Sequence, residues 1–150
     1  MFGIRKKRHL TPAQQEQLVK AIQASEKKTS GEIRVYIETK NYLINPLERA
    51  AEVFFQLNMH HTRQRNGVLI YIAVKHREAA IFGDDGIHQQ VGQGFWNSQI
   101  RKMLEHFKAQ ELTEGIISCV SDVAAVLEEQ FPYDPLLDTN ELPDEVVFGK

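Results

Sequence analysis

Residues 68–74, Val68-Leu69-Ile70-Tyr71-Ile72-Ala73-Val74, form an almost wholly apolar run introduced by Arg65-Asn66-Gly67 and stopped by Lys75-His76-Arg77-Glu78. A run this short and this rich in β-branched residues is a strand, and one without a polar alternation has no face for water. It therefore predicts a central strand covered on both sides, which confines the chain to layered α/β architectures. At 150 residues, the chain has the length of one ordinary domain.

The flanking segments fit that constraint. Thr11-Pro12-Ala13-Gln14 reads as a helix start, with Thr at the N-cap, Pro at the first helical position and Gln completing a capping box. Leu18, Ile22 and Ser25 share one face of this helix, with Leu10 as a staple. Glu32-Ile33-Arg34-Val35-Tyr36-Ile37-Glu38 alternates with period two and predicts a strand with Ile33, Val35 and Ile37 toward the core. Asn45-Pro46-Leu47-Glu48 repeats the start signal, opening a helix expected to bury Leu47, Ala50, Ala51, Phe54 and Leu57. Ala79-Ala80-Ile81-Phe82 returns as a third strand, broken by Gly83-Asp84-Asp85-Gly86. Two more helices follow, one holding Phe95, Trp96, Ile100, Met103, Leu104 and Phe107, the other running from Leu112 to Leu127 and ending before Pro132. Cys119 lies on the apolar stripe of the last helix, as a buried filler.

The order α-β-α-β-β-α-α predicts a three-layer α/β/α sandwich with a small mixed β-sheet. The first two strands, joined through a helix, are parallel, and the second and third form an antiparallel hairpin.

Charge excludes some functions. Eighteen Lys+Arg against twenty Asp+Glu give a net charge of -2, without the basic excess of a nucleic-acid binder. The extremes are polar opposites: Arg5, Lys6, Lys7 and Arg8 at the start, and Asp134, Asp138, Glu141, Asp144 and Glu145 against Lys150 at the end. This divides the chain into a basic segment 1–10, a domain over 11–131 and an acidic tail over 132–150. The tail also contains Leu136, Leu137, Leu142, Val146, Val147 and Phe148, so docking of an extended segment on its own domain is expected. With one cysteine, no secretory leader and no apolar run near 18 residues, a cytoplasmic, monomeric protein without a transmembrane segment is expected.

The topology also predicts a site. Parallel strands bring Glu32 and Asn66 to one edge of the sheet, and the antiparallel third strand delivers Asp84 and Asp85 to the same edge. Carboxylate, amide and carbonyl oxygens suit a hard cation, Ca²⁺ or Mg²⁺, rather than zinc. The other outcome is a turn that uses Asp and Gly for their backbone tolerance, with Glu32 solvated. His60-His61, His76 and His88 lack the spacing of a zinc motif, and neither Gly-x-Ser-x-Gly nor a P-loop is present.

Ser30-Gly31-Glu32-Ile33, Asn45-Pro46-Leu47-Glu48-Arg49-Ala50, Arg65-Asn66-Gly67-Val68, Gly83-Asp84-Asp85-Gly86-Ile87 and Val91-Gly92-x-x-Phe95-Trp96 together resemble the TPM domain family. Asn140-Glu141-Leu142-Pro143-Asp144-Glu145 is similar to the ending of its stand-alone bacterial branch. The family includes a thylakoid-lumen protein associated with photosystem II repair and described as acid-phosphatase-like. The resemblance implies an α/β sandwich and, for some members, Ca²⁺ binding in loops at one sheet edge, with Glu32, Asn66, Asp84 and Asp85 in the matching motifs. It leaves two further functions open: metal-assisted phosphomonoester hydrolysis, for which no nucleophile or Arg clamp is identifiable, and a non-enzymatic interaction module with an unknown protein partner.

Overall fold

The computed structural model describes residues 9–41, 45–136 and 146–149. The basic cluster Arg5, Lys6, Lys7 and Arg8 and the Asn140–Glu145 motif lie outside them.

Helix α1 (Pro12–Glu26) is followed by β1 (Glu32–Glu38), α2 (Pro46–Gln56), β2 (Gly67–Ala73), β3 (Glu78–Gly83), α3 (Asp85–Lys108), α4 (Leu112–Gln130) and a short strand β4 (Val146–Phe148). The sheet is 4-stranded in the order β3-β2-β1-β4. β1 and β2 are parallel with Glu32 opposite Gly67, and β2 and β3 are antiparallel with Val68 opposite Gly83. The mixed α/β sandwich expected from the element order is therefore observed. β2 is buried along its whole length, as its lack of polar residues requires.

The two faces of the sheet are unequal. Ile33, Val35 and Ile37 join Val68, Ile70 and Ile72 in the main core, under Leu18 and Ile22 of α1, Trp96 and Met103 of α3, and Ile116, Val120 and Leu127 of α4. On the other face, Phe54 packs with Val53, Met59 and Leu69, and Ala50 with Tyr71, Ala73 and Ala80. The capping box at Thr11 forms as its residues predict, with Gln14 N–H donating to Thr11 Oγ1 at 3.1 Å and Thr11 N–H to Gln14 Oε1 at 2.9 Å.

Four features differ from the sequence reading. The polar side of β1 does not face water: Arg34 and Glu38 are 5% and 2% exposed. Glu38 survives there because Arg49 of α2 binds both its oxygens at 2.8 and 2.9 Å, and Tyr71 also donates to it. Leu47, expected in the core, is 38% exposed and lines a groove with Ala79, Ala80 and Ile81 of β3. α3 begins at Asp85, well before its aromatic stripe, and bends at Gly92, whose φ of 76° only glycine adopts without strain. Finally, the chain end contributes a strand. β4 runs parallel to β1 with Val35 opposite Val146 and Ile37 opposite Phe148, and Gly149 N–H donates to Ile37 O at 2.7 Å. The expected docking of the tail on its own domain is thus seen for residues 146–149.

Among the described residues, no helix is long and apolar enough to cross a membrane.

Candidate functional site at the sheet edge

The Asn66-Gly67 backbone organises the edge. Its two carbonyls are held from opposite sides, Asn66 O by Glu32 N–H at 3.4 Å and Gly67 O by Asp84 N–H at 2.9 Å. Those bonds follow from the parallel β1–β2 and antiparallel β2–β3 pairings, and they bring Glu32, Asn66 and Asp84 to one edge as the topology predicts. All three are buried, at 4%, 1% and 2% exposure, so Glu32 is not the solvated residue of a plain turn.

Asp84 is the N-cap of α3, where its Oδ1 accepts from Asp85 N–H at 2.9 Å. Its carboxylate is also gripped by Arg65, with Nε 2.6 Å from Oδ2 and Nη2 2.8 Å from Oδ1. Arg65 has a φ of 51°, in the left-handed region, and its side chain is 45% exposed. The Asp84 carboxylate holds the Arg65 guanidinium above its ordinary pKa through the hydrogen bonds and their charge. Asp85, one residue on, is exposed in the first turn of α3, which complements the helix dipole.

Ser30 completes the cluster. Its Oγ receives Asn66 Nδ2 and Gln64 Nε2, each at 3.3 Å. The Oδ1 atom of Asn66, equally buried, has no hydrogen-bond partner. A buried amide oxygen without a donor costs about 1–3 kcal/mol, so its environment is incomplete without a positive or donating group.

The glycines around the two aspartates serve close packing rather than chain reversal. A Cβ at Gly83 would stand 2.5 Å from Trp96 Cζ2. One at Gly86 would lie 2.6 Å from the carbonyl oxygen of Arg65 and nearer still to that of Gln64. The loop 64–66 is therefore pressed against the first turn of α3.

Among the described residues, no group of three or more His, Cys, Asp or Glu side chains is gathered closely enough to hold a metal ion. An ion at this edge would need the amide, hydroxyl and main-chain oxygens as well as the acids. The histidines are engaged elsewhere. His88 Nδ1 accepts from Trp96 Nε1 at 3.0 Å, and the His60 and His61 rings contact one another at a centroid distance of 4.1 Å.

Arg65 and Ser30 lie outside the set of site residues that the sequence predicts. A signal for Arg65 exists: the pairing that brings Asn66 beside Asp84 brings the preceding residue there too, and a buried acid needs a cation. Ser30 carries no comparable signal, because its role depends on the turn between α1 and β1. Cys119 is buried in α4 as expected, and burial pushes its thiol up to about 12.

The TPM domain model matches residues 5–126. The solution structure of BA42 protein from the psychrophilic bacterium Bizionia argentinensis is similar at 35% identity, covering 95% of this chain and 97% of that one, with a TM-score of 0.86. The N-terminal domain of a protein from P. gingivalis shares the fold at 20% identity, 81% and 78% coverage and a TM-score of 0.64. That of the cg2496 protein from Corynebacterium glutamicum does so at 12% identity, 79% and 74% coverage and a TM-score of 0.56. No curated protein matches the chain significantly. With most of its length matched by the family model and a full-length relative above 30% identity, this chain belongs to the TPM domain family.

Proposed function

We propose that this TPM domain binds one divalent, oxygen-seeking cation, Ca²⁺ in preference to Mg²⁺, at the edge formed by Glu32, Asn66, Asp84 and Asp85. The observation that carries this reading is the buried Asn66 Oδ1 without a donor, on the sheet edge that also carries the buried residues Glu32 and Asp84. An ion there satisfies the amide oxygen and draws on the carboxylate and main-chain oxygens of the same edge. Mixed carboxylate, amide and carbonyl donors with irregular spacing favour Ca²⁺, which takes 6–8 oxygens in flexible geometry, over Mg²⁺, which demands a near-ideal octahedron.

Arg65 has a part in this reading. Its guanidinium supplies the positive charge at Asp84, yet its side chain is 45% exposed and can withdraw into water. Cation binding is then an exchange of Arg65 for the ion at Asp84. Phosphomonoester hydrolysis gains no support from this arrangement, since the guanidinium at the edge is committed to Asp84 rather than offered to an anion.

Titration of the full chain with Ca²⁺, followed by amide chemical shifts, tests the proposal. The largest changes are expected at residues 30–33, 64–67 and 83–88, with the Arg65 Nε–H resonance moving with them. Largest shifts elsewhere, or none at millimolar Ca²⁺, would overturn it.

A further inference from the structure

The edge of the sheet at β3 is built differently from its counterpart. β4 covers three residues of β1 on one side, whereas β3 offers six residues and, among the described residues, pairs with nothing on its outer side. Exposed edge strands are normally blunted by Lys, Pro or a bulge. Between Glu78 and Gly83, β3 carries only Ala79, Ala80, Ile81 and Phe82, and it pairs residue for residue with β2 without a bulge.

This edge is the floor of a groove of about 400 Å³. Leu47 at the start of α2 forms one wall, and Trp96, Asn97, Ile100 and Arg101 of α3 form the other. The misplaced Leu47, 38% exposed, belongs to this groove rather than to the core. Arg101 is the only charged side chain among the described lining residues and makes no ion pair with another described residue. The N-terminus of α2 opens on the same groove and adds partial positive charge.

We propose that the β3 edge is a peptide-docking site, accepting an extended segment of a protein partner as an added strand, with small apolar side chains in the groove and an acidic residue beside Arg101. Main-chain hydrogen bonds to alternate residues of β3 would provide affinity, and the walls would select side chains. Charge decides between this occupant and a second copy of the chain. Two-fold pairing of β3 with itself would carry a second Arg101 into the same interface, and like charges brought together there oppose it. The chain's own end is engaged at the opposite edge, with β1 and β2 between. This inference does not depend on the cation site.

The test uses the labelled full chain and the peptide acetyl-Thr-Val-Thr-Val-Asp-amide, with a Lys-for-Asp peptide and a peptide N-methylated at alternate residues as controls. Amide shifts are expected at residues 79–82 and 97–101, with the acidic peptide bound about tenfold more tightly than the basic one. Arg101→Glu should reverse that preference and Arg101→Gln abolish it; both substitutions are at an exposed position and should leave the remaining spectrum intact. N-methylation should remove binding. Absence of shifts at residues 79–82 at several millimolar acidic peptide would overturn the proposal, as would equal binding of the N-methylated peptide. Shifts at β3 that depend on protein concentration without peptide would assign the edge to a second copy instead.

Discussion

Arg65 and Asp84 meet as a two-pronged ion pair, Nε to Oδ2 at 2.6 Å and Nη2 to Oδ1 at 2.8 Å, between an exposed guanidinium and a buried carboxylate. The asymmetry matters because the acid cannot leave its place at the head of α3, whereas the base can. If Ca²⁺ competes with Arg65 for Asp84, Arg65→Gln should bind Ca²⁺ several-fold more tightly than the parent and melt at a lower temperature without it. Thermal melts with and without Ca²⁺ measure both effects, since a ligand raises stability by RT ln(1 + [L]/Kd). Equal Ca²⁺-induced shifts in parent and variant would show that the two do not compete.

Gly86→Ala ought to destabilise although it lies in a helix. Alanine normally gains about 1 kcal/mol over glycine in a helix interior. Here the added methyl meets the main-chain carbonyls of Gln64 and Arg65, which cannot yield as a side-chain tip would. A net loss of about 1–3 kcal/mol by urea denaturation is expected, the range for overpacking. The amides of residues 64–66 should shift as the loop is pushed away.

Arg49→Met should be among the costlier single changes on the α2 face. It leaves the Glu38 carboxylate, 3% exposed at its side chain, with Tyr71 but no counter-charge. A loss of about 3 kcal/mol is expected from breaking a buried pair. Adding Glu38→Gln to Arg49→Met should recover part of it, and a double-mutant cycle in urea reads the coupling. Strict additivity would mean that the pair is not coupled.

Phe148→Asp should detach β4. Phe148 is 7% exposed and packs in the main core, so its replacement puts a charge where the sheet edge meets apolar side chains. Amide hydrogen exchange at residues 146–149 should accelerate, and stability should fall by about 3–5 kcal/mol, as for loss of a buried aromatic. Unchanged exchange at Gly149, whose N–H is bonded to Ile37 O, would contradict the pairing.

Cys119 should resist alkylation in the folded protein. Burial pushes its thiol from the ordinary 9.0 up to about 12. A raised thiol pKa means that the folded state holds its proton longer than the unfolded chain does. The associated stability is present below pH 9 and is lost as pH rises toward 12. Iodoacetamide at pH 8 should label the native protein far more slowly than the urea-unfolded chain, and rapid native labelling would place the thiol outside the core.

Local chemistry in the sequence already determined several elements. The Thr11 and Asn45 caps followed by proline start α1 and α2, and the apolar run at 68–74 can only be a covered central strand. From element order alone came the parallel β1–β2 pair and the hairpin, and hence the shared edge of Glu32, Asn66 and Asp84. Tertiary structure decided what those residues touch. The grip of Arg65 on Asp84 and the binding of Ser30 by Asn66 join positions 19 and 36 residues apart. The burial of Glu38 depends on Arg49 arriving from α2, which no periodicity within β1 could announce. The same holds for β4: Val146-Val147-Phe148 is too short to be a strand by itself and becomes one only because β1 offers it an open edge. Propensity and capping act over a few neighbouring residues, whereas counter-charges and edge pairing depend on which segments the packed layers bring together.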